Sequence, residues 1–174
     1  MKTKNIKQRI LEYFFMNPTA RLRVRQIERV VDVPLPSAIR YTKELMNEGL
    51  LKIVEVAAVR AYAADRASQS YRLEKTFFNI RRLHESGLVE HLRKELDNPT
   101  IILFGSYAKG EDTESSDVDL FIKTRGSAKV DMEPFEKKLN RTIQLFTGTK
   151  LPKNRHLANN IINGITLNGF LEVL

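Results

Sequence analysis

Residues 103–122 read LFGSYAKGEDTESSDVDLFI, and the second half of the chain is best read outward from them. Gly105 and Ser106 are followed, ten residues on, by Asp117 and Asp119, which flank one valine inside an apolar run. Upstream, TIILF from Thr100 to Phe104 is a short apolar run ended by glycine, the pattern of a buried strand. Beyond it, Gly105, Ser106, Lys109 and Gly110 suit a turn opening a helix whose backbone N–H groups face an anion. Val118 to Lys123 reads as a second strand. Strand side chains alternate at about 3.3 Å per residue, so Asp117 and Asp119 share one face about 7 Å apart, while Val118, Leu120 and Ile122 face a core.

Five acidic residues, Glu111, Asp112, Glu114, Asp117 and Asp119, fall within nine positions. Two carboxylates held ~4 Å apart in a shielded cleft repel by about 4 kcal/mol at an effective dielectric of ~20. Fixed convergent carboxylates therefore want cations. Hard oxygen ligands beside a phosphate cradle favour Mg²⁺.

Composition bounds the rest. The chain has 174 residues, 42% of them apolar and 29% charged, as suits one globular domain or two small ones and neither disorder nor membrane spanning. It has no cysteine, so it holds no disulfide or thiolate metal site, in keeping with a reducing cytoplasm. The N-terminal MKTKNIKQRILEYFFMNP lacks the uninterrupted apolar stretch and cleavage site of an export signal. Charge is unevenly spread. Residues 1–75 hold 15 Lys+Arg against 8 Asp+Glu, a net +7, and the remainder carries the other +1 of the total of +8. That asymmetry points to a polyanion partner for the first half.

Within that half, Ile6, Ile10, Leu11, Phe14 and Phe15 predict a helix from Asn5 to Met16, stopped by Asn17-Pro18. A second helix is expected over 24–31, with Ile27, Val30 and Val31 inside. Ser37 is expected to cap a third, with Ile39, Thr42, Leu45 and Met46 inward, Gly49 at its end, and Arg40, Tyr41, Lys43 and Asn47 outside. LLKIVEV has strand character, and SYRLEK, residues 70–75, is expected to return antiparallel across a loop holding Arg60 and Arg66. Residues 76–98 read as a connecting helix striped by Phe77, Ile80, Leu83, Leu88, Leu92 and Leu96. His84, His91 and His156 have no partners at metal-ligand spacing.

Three helices and a hairpin over residues 1–75 resemble a winged helix-turn-helix domain, with LPSAIRYTKELMNEGLLKIV similar to its recognition helix and the turn into the wing. The resemblance implies duplex DNA contact by Ser37, Arg40, Tyr41 and Lys43 in the major groove and by Arg60 and Arg66 at the backbone. A homodimerisation or docking role is the alternative.

GSYAKGEDTESSDVDLFI, in turn, resembles the signature of the nucleotidyltransferase superfamily related to DNA polymerase beta, most closely its minimal branch. That implies an α/β (α+β) fold over residues 99–174, a small mixed sheet flanked by helices. It also implies that Gly105, Ser106, Lys109 and Gly110 hold ATP or another nucleoside triphosphate. Asp117 and Asp119 would be the catalytic residues and hold two Mg²⁺ ions. In that branch the group moved is often AMP, and the acceptor is often a separate toxin chain of the HEPN type.

The sequence departs from the family at one place. The third carboxylate expected on the next strand, RTIQLFTG (residues 141–148), is replaced by Gln144, which on alternation shares a face with Thr142 and Phe146. Asp131, Glu133 and Glu136 precede or lie on the intervening helix and are poorly placed to substitute. NRHLANNIINGITLNGFLEVL predicts a helix to Asn163, a stop at Gly164 and a last strand from Ile165, so a macromolecular acceptor is expected to be another chain. Two functions follow: Mg²⁺-dependent nucleotide transfer to a partner protein, or a non-enzymatic DNA-binding regulator whose second domain only binds nucleotide or a partner.

Overall fold

The computed structural model describes residues 6–124 and 130–172 and divides the chain into two compact units, residues 1–78 and 79–174. Both mix helix and strand, so the chain is α/β.

The first unit begins with α1 (Ile6–Met16), a two-residue β1 (Arg21–Leu22), α2 (Val24–Val31) and α3 (Leu35–Asn47). An antiparallel pair follows, β2 (Leu51–Val56) and β3 (Val59–Ala64), giving a three-stranded sheet of order β1-β3-β2. Ile10, Phe14, Phe15, Ile27, Ala38, Leu45, Leu51 and Tyr71 meet in one buried cluster. At about 1.5–3 kcal/mol for each large apolar side chain removed from water, this cluster is what holds the helices together. Tyr71 buries its ring there because its hydroxyl donates to the Phe14 carbonyl at 3.1 Å.

Several expectations are corrected here. The first helix is described over Ile6–Met16, and its expected start at Asn5 lies outside the described residues. The third begins at Leu35, with Pro34 before it and Pro36 in its first turn, where a missing N–H costs nothing. Ser37 therefore sits inside the helix and caps nothing. Ile39 and Val30 are exposed, and Ala38 takes the inward place on α3. Ser70–Lys75 is not the returning strand but part of α4 (Gln69–Ser86), with Tyr71, Lys75 and Phe78 buried at helical spacing. The returning strand is β3. It follows a two-residue turn at Ala57 and Ala58, both in the left-handed region (φ 49° and 59°), so Arg60 lies on a strand and Arg66 beyond it.

The expected connecting helix is two helices. Gly87, at φ 85°, separates α4 from α5 (Leu88–Glu95), and the Ser86 hydroxyl accepts from the Leu88 N–H at 3.2 Å across the break. Phe77, expected in the apolar stripe, is exposed, whereas Leu83, Leu88 and Leu92 are fully buried.

In the second unit, β4 (Thr100–Phe104), α6 (Gly105–Ala108), β5 (Val118–Lys123), α7 (Glu133–Leu139), β6 (Ile143–Gly148), α8 (Arg155–Ile162) and β7 (Ile165–Asn168) build a mixed sheet of order β6-β5-β4-β7. β5 runs parallel to β6, and the other neighbours are antiparallel. Strand alternation gives the sheet two apolar faces. Val118, Leu120, Ile122, Ile101, Leu103 and Ile143 pack with residues of α4, α5 and α7. Ile102, Phe104 and Phe121 pack with Ile161 of α8, and Phe146 and Leu157 join them. No described helix is long and apolar enough to cross a membrane.

Candidate active site

The Gly-Ser turn and the acidic strand meet because β4 and β5 are antiparallel neighbours. Phe104, the last residue of β4, pairs with Asp119, so the chain leaves β4 directly over that carboxylate. Gly105 makes the turn at φ 74°. A Cβ there would lie 2.2 Å from Asp119 Oδ2 and 3.1 Å from its Cγ. Glycine is required twice over, by the left-handed backbone and by the carboxylate in the space a side chain would fill.

The helix expected after Gly105, with its N–H groups facing an anion, is a single turn of four residues. What remains is a tight loop in which the Ser106 carbonyl accepts from Lys109 N–H (3.2 Å) and Glu111 N–H (3.0 Å). Gly110, at φ 65°, returns the chain. Ser106 is half-buried beside Gly105, and Lys109 is exposed.

Asp117 and Asp119 stand on the face of β5 that also carries Phe121, as the period of two requires. Burial, and secondly the Asp117 charge, push the Asp119 carboxyl above the ordinary carboxylate value. Both causes oppose negative charge, and a cation between the two acids would relieve both.

Gln144 is placed by register. It pairs with Asp119 across β5 and β6, and its Nε2 donates to Asp117 Oδ2 at 2.6 Å. The other acids considered as substitutes are engaged elsewhere. Asp131 accepts from Glu133 N–H (3.0 Å), Glu133 pairs with Lys137 (2.6 Å), and Glu136 accepts from Ile143 N–H (2.8 Å) at the start of β6. Among the described residues no three His, Cys, Asp or Glu side chains form a metal-binding group.

Asp112 belongs to a different structure from the one its sequence neighbours suggest. It is buried, accepts from Asn79 Nδ2 at 2.8 Å and faces Arg141 Nη2 at 4.0 Å. Asn79 also donates to the Tyr107 carbonyl at 2.9 Å. One amide on α4 thus ties down both the Gly-Ser turn and the loop before Asp117, and Arg141 joins that loop to the start of β6. The Tyr107 hydroxyl and Arg141 Nε are buried without hydrogen-bond partners among the described residues, and burial is the main cause of the Tyr107 hydroxyl being raised to about 12. Asn79 and Arg141 were not legible as site residues, because their roles depend on contacts far along the chain. Beside Asp117 a cleft of about 490 Å³ is lined by Ser116, Glu136, Lys137 and Arg141 among others.

The basic residues of the first unit divide into two groups. Arg40 is turned along its own helix, with Nε 3.1 Å from Glu44 Oε1, Nη2 donating to the Tyr41 hydroxyl at 3.1 Å, and its guanidinium 4.6 Å over the Tyr41 ring. Lys43 and Arg60 instead line one groove of about 300 Å³ between α3 and the β2–β3 hairpin, with Met46, Ile53 and Tyr62. Ser37 is half-buried and Arg66 exposed in the turn after β3.

The oxygen donors of Asp117 and Asp119 suit a hard divalent ion, and the backbone of the Gly105 turn lies against Asp119 Oδ2. No curated protein and no solved structure matches the chain. Residues 86–165, which carry the Gly-Ser turn, both aspartates and Gln144, match the family model of the nucleotidyltransferase domain, and this supports placing that part of the chain in the nucleotidyltransferase superfamily.

Proposed function

We propose that the second unit binds a magnesium nucleoside triphosphate and transfers its nucleotide to a separate acceptor protein, AMP from ATP being the first candidate. The observation that carries this reading is the approach of Gly105 to Asp119: a turn without a side chain packs directly against one carboxylate of the pair. The backbone of Gly105 and Ser106 would hold the phosphates. Asp117 and Asp119 would hold Mg²⁺, which when bound supplies positive charge to the phosphate oxygens. An acceptor nucleophile attacks the α-phosphorus, and pyrophosphate leaves.

The Gln144–Asp117 hydrogen bond favours a second reading, in which the site binds nucleotide but transfers it slowly or not at all. A neutral amide stands where the family resemblance calls for a charge. Replacing residues around a metal already costs about 10–100-fold.

For the first unit we propose duplex DNA binding. The three helices, the antiparallel hairpin, the +7 charge and the Lys43–Arg60 groove support a winged-helix reading. Homodimerisation through this unit is the alternative.

The test of the nucleotide reading is thermal unfolding with Mg²⁺ and each of the four triphosphates. Ligand at 100 times its dissociation constant stabilises by about 2.7 kcal/mol. The wild type should shift with at least one, and Asp117→Ala/Asp119→Ala with none. A wild type indifferent to all four would remove the nucleotide function.

A further inference from the structure

We propose that the Gln144 amide takes the place of one cation, so that the aspartate pair holds a single divalent ion, delivered with the triphosphate, and not two. The inference rests on the nucleotidyl-transfer reading of this site and concerns its ion count.

The register of β5 and β6 fixes Gln144 beside Asp119, and the amide reaches across to Asp117 Oδ2 at 2.6 Å. Its orientation is set by chemistry. An ionised carboxylate only accepts hydrogen bonds, so the amide must present Nε2; turned over, Oε1 would face a second acceptor. The N–H then occupies one of the lone pairs of Asp117, leaving fewer for a second ion. Asp119 is different: among the described residues no hydrogen-bond donor reaches its oxygens, and its Oδ2 stands where a Cβ on Gly105 would lie.

A second divalent ion close to the first would meet strong like-charge repulsion, which a third carboxylate would offset and a neutral amide does not. The acids considered as substitutes already have partners: Asp131 accepts from a backbone N–H, Glu133 pairs with Lys137, and Glu136, which lines the cleft beside Asp117, accepts from the Ile143 N–H at the edge of β6. Mg²⁺ is satisfied by one or two carboxylates, substrate phosphates and water, so the pair with a triphosphate provides one complete site. The nucleophile must then be activated by groups of the acceptor.

The test counts ions. The full chain is dialysed to equilibrium against Mn²⁺ and a labelled, non-hydrolysable α,β-methylene triphosphate, with protein-bound Mn²⁺ and nucleotide measured together. One Mn²⁺ per bound nucleotide is expected for the wild type and two for Gln144→Glu or Gln144→Asp, with circular dichroism reporting that each variant is folded. Gln144→Glu alters an exposed side chain without changing its size, and Gln144→Asp provides an independent second carboxylate. Two ions in the wild type, or one in both acidic variants, overturns the inference and leaves the nucleotide reading intact. If the wild type binds neither nucleotide nor Mn²⁺, the nucleotide reading falls and takes this inference with it.

Discussion

Replacing Gly105 by alanine probes the one contact on which the site depends. The new methyl carbon would lie 2.2 Å from Asp119 Oδ2, on a backbone held at φ 74°. The left-handed conformation costs a residue with a Cβ about 1–2 kcal/mol. Driving the Asp119 carboxylate out of its rotamer adds about 0.5–1.5 kcal/mol. Gly105→Ala should therefore destabilise by about 1.5–3.5 kcal/mol. In an Asp119→Ala background the carboxylate is gone and the nearest Asp119 atom is Cβ at 3.5 Å, so only the backbone cost of about 1–2 kcal/mol should remain. Gly87→Ala is the control, because φ is 85° there but the nearest atom, on the Phe135 ring, is 4.0 Å away. Urea unfolding of the four members of the cycle gives the coupling. Distant sites add within about 0.3–0.5 kcal/mol, so a coupling inside that range would show that the Asp119 carboxylate does not stand over Gly105. The folded Gly105→Ala protein should also lose magnesium triphosphate binding, and Gly87→Ala should keep it.

Because the Asp119 carboxyl is held above its ordinary value by burial and then by Asp117, its ionisation opposes folding. Asp119→Asn should be more stable than the wild type at neutral pH. The advantage should shrink as pH falls through the raised value and vanish below the ordinary carboxylate range, as read by unfolding at a series of pH values. Asp112→Ala should cost about 3–5 kcal/mol in urea by leaving Arg141 without its buried carboxylate, whereas an acid that only attracted cations would be lost at little cost. Ala58→Gly should stabilise the hairpin by about 1 kcal/mol, since glycine suits the left-handed turn that alanine occupies there. DNA affinity should fall with salt at a slope of about 0.9 per phosphate neutralised; Lys43→Ala and Arg60→Ala should each weaken it in a gel-shift titration, and unchanged binding by both would move this unit to a dimerisation or docking role.

The second unit was the more legible because its signals are local. A continuous apolar run ended by glycine gave β4, alternation gave β5 and put Asp117 and Asp119 on one face, and the family resemblance pointed to Gln144 as their neighbour, which β5–β6 pairing brings beside Asp119. The first unit hid its hairpin. Ala57 and Ala58 carry none of the Asn-Gly chemistry that marks such a turn, and VRAYAA is too rich in alanine to read as a strand. SYRLEK fits alternation over six residues, and only the longer helical spacing of Tyr71, Lys75 and Phe78 reveals its helix. Asp112 was grouped with cation-seeking acids because its partners, Asn79 and Arg141, are remote in sequence. Gly87 divides a helix that the leucine pattern carries straight through it, since spacing does not report a left-handed φ.

On the proposed function, the Gly105 turn and the aspartate pair form one site for a metal-bound triphosphate. A crystal structure with Mn²⁺ and a non-hydrolysable triphosphate tests it most directly, because the anomalous signal locates the ion independently of the refined chain. The expected result is a Mn²⁺ peak touching oxygens of Asp117 and Asp119, with the phosphates against the backbone of Gly105 and Ser106. Nucleotide bound elsewhere on the chain, or Mn²⁺ on other residues with the aspartates bare, would contradict it.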